Sequence, residues 1–207
     1  MQRSFRAVYD SSNEWGFPDL LPQPIDLAVP ADVIPYAYRQ RQFSARPVLL
    51  HFHIDDYKFD VVWNRPEREV GKLGLWAACS PDFSLWMDAP RAEQIWNIYR
   101  GRWCGRHWQG AGLTVIPSVN WAGKSSWDFC FAGVPSNQIV TLRVPSLRKI
   151  EMHVFLDGYY EMVDRLSPRL VLWFGNVPVE CEADGVAKIL FRLEEWWKRR
   201  KAVYYGR

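Results

Sequence analysis

The sequence predicts an α/β domain on a mainly parallel sheet, open or partly barrel-like, of about five βα units, with an extended N-terminal arm and a C-terminal helix. Two observations carry this expectation. Five short runs are continuously apolar rather than alternating, as strands covered on both faces are. Stretches with helical periodicity lie between several of them, and strand, helix, strand alternation builds parallel sheets with right-handed crossovers.

Residues 1–46 hold Gly16, Pro18, Pro22, Pro24, Pro30 and Pro35. Prolines at these intervals exclude a continuous helix or a central strand. The segment reads as an arm packed on the domain through Trp15, Phe17, Ile25, Ile34 and Tyr36. Residues 47–207 form the domain. Its expected strands are Pro47–Ile54, Leu73–Cys79, Leu113–Val119, Ile139–Val144 and Leu170–Phe174, with Lys58–Trp63 as an extra edge strand. A helix is expected from Asp88–Ala89–Pro90, with Asp88 as N-cap and the proline in the first turn. Ala92, Ile95, Trp96, Tyr99 and Trp103 follow at helical spacing, and Gly110–Ala111–Gly112 stops it. Residues 147–166 form a second helix with a break at Gly158. Leu190–Ala202 reads as a third, with Leu193, Trp196 and Trp197 on its apolar side.

The chain has 207 residues, 48% hydrophobic and 24% charged, enough for a folded core. Its net charge of +3 does not by itself mark a nucleic-acid binder. No apolar run approaches the roughly 18–20 residues of a membrane span. The N-terminus lacks a signal-peptide hydrophobic region, so a cytoplasmic location is expected, with no membrane partner. Cys79, Cys104, Cys130 and Cys181 form no C-x-x-C pair and read as small buried apolar residues. The 12 tryptophans fit a core, loop undersides or a stacking surface, and their spacing does not separate these uses. No Walker loop, G-x-G-x-x-G, G-x-S-x-G or H-E-x-x-H is present.

In parallel sheets ligands bind at the carboxyl ends of the strands. The polar residues that follow the expected strands are therefore the candidates. Asp55, Asp56, Asp82 and Asn120 are the candidate catalytic residues, and Ser80 and Asn176 also follow strands. Ser84, Asn97, Arg100, Arg102, Arg106 and Trp121 are the candidate substrate-binding residues. Asp56 and Asp82 could hold Mg²⁺ or Mn²⁺ or serve as acid and base; helix caps and turn closures are the competing role of such aspartates. His51, His53 and Asp55 share one face of an extended strand, the spacing of a transition-metal site. Such a site needs two more ligands, and neither His107 nor His153 follows a strand, so packed histidines are the favoured reading of His51 and His53. Arg91, Arg100, Arg102, Arg106 and His107 lie on the first expected helix. Lys198, Arg199, Arg200, Lys201 and Arg207 lie near the C-terminus. Interleaved with Trp103, Trp108, Tyr204 and Tyr205, they suit phosphate contact and base stacking, or else a solvated helix face.

Seven segments together resemble a domain-of-unknown-function family, number 4417, found in bacteria, phages and plasmids. They are Asn13–Pro18 (NEWGFP), His51–Trp63 (HFHIDDYKFDVVW) with Pro66, Ser80–Leu85 (SPDFSL), Asn97–Arg102 (NIYRGR), Val115–Trp121 (VIPSVNW), Phe131–Pro135 (FAGVP) and Trp173–Gly175 (WFG). The resemblance implies a mobile-element setting and supplies no catalytic roles. Its polar positions would be Asn13, Asp55, Asp56, Asp82, Ser84, Asn97, Arg100, Arg102, Asn120 and Trp121, overlapping the strand-end residues. Mainly on that setting, the expected function is an accessory protein that binds or acts on nucleic acid, as a metal-dependent phosphodiester enzyme for instance. Two alternatives stand beside it. One is a non-catalytic protein that sequesters a small phosphorylated ligand or a host protein; the other is a small-metabolite hydrolase or lyase. A continuous basic stripe favours the first reading and an enclosed site the others.

Overall fold

The computed structural model describes residues 6–26, 29, 31–39, 47–67, 75–144, 149–182 and 184–191. Every strand pairing in it is parallel. One sheet runs β1 (Asp32–Pro35), β2 (Val48–His51), β3 (Ala77–Cys79) and β4 (Val115–Ile116); a second runs β5 (Ile139–Arg143), β6 (Leu170–Phe174) and β7 (Lys188–Phe191). A parallel bridge between Ser118 and Thr141 joins the two, so neighbours in space follow the order of the chain. The array is curled. The His51 and His53 rings, from β2 and just beyond it, lie 4.7 and 4.4 Å from Phe174 at the end of β6.

Alternation sorts the side chains of β5 and β6 between two faces. Ile139, Leu170, Leu172 and Phe174 join the core that contains Leu49, Ala77 and Cys79. Val140, Leu142, Val171 and Trp173 turn outward, where Phe155, Tyr159, Met162 and Leu166 of the helix Lys149–Leu166 cover them. The other long helix, α2 (Arg91–Gly110), follows the short α1 (Val61–Asn64) and connects β3 to β4. The short α3 (Trp127–Cys130) precedes β5, and Lys149–Leu166 is α4.

Several expectations needed correction. Lys58–Trp63 is not a strand: a 3₁₀ turn at Asp56–Lys58 leads into α1. Its fully buried apolar residues, Phe59 and Val62, are three apart, which suits a helical turn and not a pleat. The run Pro47–Ile54 pairs only as far as His51, because the Ile54 N–H turns back to the Phe52 carbonyl at 2.6 Å. Pro90, rather than Asp88, caps α2, and the Gln94 side chain ties down the lead-in by donating to the Trp86 and Ala89 carbonyls. The helix stops where expected, with Gly112 at φ +86°. Gly158 does not break α4 but makes room for the Trp121 ring, whose Nε1 lies 2.2 Å from where a Cβ would be. Leu190, the first residue of the expected C-terminal helix, belongs to β7 and pairs with Trp173. Residues 192–207, and with them the C-terminal basic cluster, lie outside the described residues.

β1 comes from the segment read as an arm. It pairs with β2 from Asp32↔Val48 to Pro35↔His51, and its outer position tolerates a proline that cannot donate to the ladder. Upstream residues lie along α2. The Trp103 indole donates to the Ala7 carbonyl, and Gln109 exchanges hydrogen bonds with the main chain of Leu21.

Candidate functional site

His53 lies just past the end of β2, 1% exposed, on the inner side of the curled sheet. Its Nδ1 is 2.8 Å from Asp82 Oδ2, and its Nε2 is 3.1 Å from Thr141 Oγ1 of β5. The neighbouring hydroxyls fix the direction of these bonds. The Ser118 hydroxyl donates to the Ser80 carbonyl at 2.6 Å, since a carbonyl can only accept. The Thr141 hydroxyl therefore donates to Ser118 Oγ, at 3.0 Å. Thr141 Oγ1 can then only accept from the ring, which puts a proton on Nε2. A second proton lies between Nδ1 and the Asp82 carboxylate, because two bare acceptors would repel at that distance. The result is a buried, oriented acid–base pair at the carboxyl ends of parallel strands.

Asp82 is presented by the loop Ser80–Leu85, which is held from three sides, by the Asp56 turn, by α2 and by the segment beyond β4. Ser84 donates its N–H and its hydroxyl to the two oxygens of Asp56, at 3.0 and 2.8 Å. Asn97 of α2 donates to the Ser84 carbonyl, and Asn120, beyond β4, donates to the Phe83 carbonyl, both at 2.8 Å. The Arg100 guanidinium lies 3.8 Å above the Phe83 ring and donates to Asp60 and Asn97. Beneath the loop, Gly101 and Gly105 bring the α2 backbone against Pro81 and Ser80; a Cβ on Gly101 would lie 2.8 Å from the Pro81 carbonyl oxygen. Burial raises the Asp56 carboxyl above its ordinary range, the Ser84 bonds oppose this, and the Asp82 charge adds to it.

Arg102 is 2% exposed and donates to the carbonyls of Ala132, Ser118 and Cys130. Burial draws its guanidinium down to about 10, still charged at neutral pH, and the Asp82 carboxylate supports the charge. Five of the residues expected to bind substrate or to take part in chemistry, Asp56, Ser84, Asn97, Arg100 and Asn120, thus hold the loop. Asp55 is exposed and pairs with Lys58 at 2.5 Å, which lowers its carboxyl. The Trp121 ring is 5.3 Å from Phe155 and rests on Gly158. Arg106 lies 5.0 Å above the Tyr9 ring, and Arg91 pairs with Asp128. The α2 arginines are therefore engaged one by one with other parts of the protein rather than forming an open stripe. Both oxygens of Asp56 are occupied by Ser84, and among the described residues no group of three or more His, Cys, Asp and Glu side chains is disposed to hold a metal ion.

Sequence reasoning passed over Thr141, Ser118 and Arg143, and read His51 and His53 chiefly as packing. Thr141 and Arg143 were findable as polar residues two apart in an otherwise apolar strand, hence on the same inner face as Ile139. Arg143 ends β5, half-buried, and its charge bears on both His51 and Asp55. His51 is 1% exposed, its ring 5.9 Å from His53 and nearly parallel to it, and its Nδ1 has no partner. Burial, followed by the neighbouring His53 and Arg143, holds this imidazole neutral, well below the usual histidine range. Asp82 Oδ1 is likewise buried without a partner.

No helix among the described residues is long and apolar enough to cross a membrane. No solved structure matches the chain. A Gene 1 protein of Mycobacterium phage D29 is 38% identical over 205 residues, covering 97% of this chain and 74% of the relative. A Gene 1 protein of Mycobacterium phage L5 is 37% identical over 205 residues, covering 97% and 88%. A family model described as Domain of unknown function (DUF4417) matches residues 9–192, a span that contains every residue of the His53 site, and the chain belongs to that family.

Proposed function

We propose that this phage-related protein is an enzyme that performs acid–base chemistry on a small phosphorylated metabolite. The observation that carries the reading is the His53–Asp82 pair, whose imidazole is held in orientation by the Thr141–Ser118–Ser80 chain acting on Nε2. Such a pair can deliver or remove a proton at a bound substrate, a contribution of about 10²–10⁴ in rate. Its position on the inner side of a curled sheet suits a small molecule entering from the strand ends more than a duplex lying across them. Arg143, on the same inner face and nearer the rim, supplies a cation for phosphate. The sequence-based nucleic-acid reading keeps support from the phage relatives and from Tyr57 and Trp86, 79% and 63% exposed on the two loops joined by Asp56 and Ser84.

The test is a panel of sugar phosphates and nucleoside monophosphates, with and without Mg²⁺ or Mn²⁺, followed by phosphorus and proton NMR. Turnover that falls about 100-fold or more in Asp82→Asn supports the reading. Absence of turnover, together with salt-sensitive binding of single- or double-stranded DNA or RNA, replaces it with the nucleic-acid one.

A further inference from the structure

Two buried polar atoms near the His53 pair lack partners: Nδ1 of His51 and Oδ1 of Asp82. Leaving such atoms unpaired is costly, and a site that exists to receive a ligand is one place where the cost persists. The His51 ring is packed between His53 at 5.9 Å and Phe174 at 4.7 Å, so it is held in position without a hydrogen bond at Nδ1. Arg143, two residues beyond Thr141 on the inner face of β5, stands towards the strand ends. Together these residues offer a neutral imidazole, an unpartnered carboxylate oxygen and, on the same face of β5, a cation whose charge reaches His51.

We infer that His51 is a substrate-positioning residue, and that the site takes a sugar phosphate with its hydroxyls on His51 Nδ1 and Asp82 Oδ1 and its phosphate on Arg143. This deepens the function proposed above and rests on it for the chemistry. The assignment follows from matching groups. A hydroxyl both donates and accepts, so one hydroxyl satisfies either tautomer of His51 and a second donates to Asp82 Oδ1. A phosphate in the same place would meet the Asp82 carboxylate, whereas at Arg143 it meets a cation. The low-lying titration of His51 agrees with an uncharged partner there.

Calorimetry with ribose 5-phosphate and with inorganic phosphate tests the inference on the full chain. Wild type binds ribose 5-phosphate. His51→Phe removes an unsatisfied polar atom, so the free protein melts at a higher temperature, while its affinity for ribose 5-phosphate falls about tenfold or more. Binding of inorganic phosphate is unchanged in His51→Phe and lost in Arg143→Gln. His51→Gln, which restores a neutral polar group, recovers part of the sugar phosphate affinity and covers the case in which the phenylalanine does not fit. Equal affinity of wild type and both His51 variants overturns the inference, as does failure of wild type to bind ribose 5-phosphate. If Asp82→Asn leaves turnover intact while His51→Phe loses binding, the acid–base reading fails and the subsite stands.

Discussion

The Pro81 carbonyl oxygen lies 2.8 Å from the point where a side chain on Gly101 would begin, so the loop that presents Asp82 rests directly on the backbone of α2. Gly101→Ala must displace that loop or tilt the helix. The expected outcome is a loss of about 1–3 kcal/mol in denaturant unfolding, despite the better helix propensity of alanine. Gly110→Ala, whose nearest neighbour is the Arg106 side chain at 3.7 Å, serves as the control and should be neutral or slightly stabilising.

Arg102 holds three carbonyls that belong to three separate residues beneath the site. Arg102→Met keeps much of the volume and leaves those acceptors without donors. A loss of about 3 kcal/mol or more is expected from chemical denaturation. Salt should leave the wild-type contribution of this residue nearly unchanged, because a buried cation is poorly screened. A loss below about 1 kcal/mol contradicts the role given to these bonds.

Two carboxylates set opposite trends at acid pH. Burial raises the folded Asp56 carboxyl above its unfolded value of 3.8, so the fold binds that proton more tightly and gains stability as pH falls through the raised value. For Asp184, burial acts upward, but hydrogen bonds from Lys188 and Tyr159 and the Lys188 charge outweigh it and hold the folded carboxyl below 3.8. Its contribution is complete above 3.8 and is lost as pH falls through the lower folded value. Melting temperatures measured from neutral pH downward should show the first trend disappear in Asp56→Asn and the second weaken in Lys188→Met.

All four cysteines are buried and free, and burial pushes the thiols of Cys79, Cys104 and Cys130 up to about 12 and that of Cys181 to about 11. At pH 8 almost no thiolate is present, and the sulfurs are covered. Iodoacetamide should leave the native protein unmodified over hours and label all four once guanidinium is added, as intact-mass measurement would show. Rapid native labelling of any one of them would place it in a segment that opens locally.

The continuous apolar runs disclosed the parallel sheet, because strands covered on both faces carry no polar alternation to obscure them. β1 escaped notice because four residues ending in Pro35 carry too little pattern to distinguish an edge strand from an extended arm. The site was legible in part. Asp82 stands out after an apolar run, but its partner His53 looks like packing until Thr141, 88 positions further on, comes beside it. Asp56, Asn97 and Asn120 are polar residues near one loop in space, and sequence cannot tell a group that touches substrate from one that holds the loop touching it. That distinction lies in where the second hydrogen-bond partner falls, which only the fold decides.

Each strand in the described array pairs with the one that precedes it in the chain. A polypeptide emerging from the ribosome can therefore extend the sheet one strand at a time, without waiting for a distant segment to insert between earlier ones. The centre matures late along that course. His53 and Asp82 are synthesised early, whereas Thr141, which anchors the far side of the imidazole, and Phe174, which covers it, come only with β5 and β6. A nascent chain halted before residue 139 lacks both, so the His53 ring gains its Thr141 anchor and its Phe174 cover only once β5 and β6 have been made.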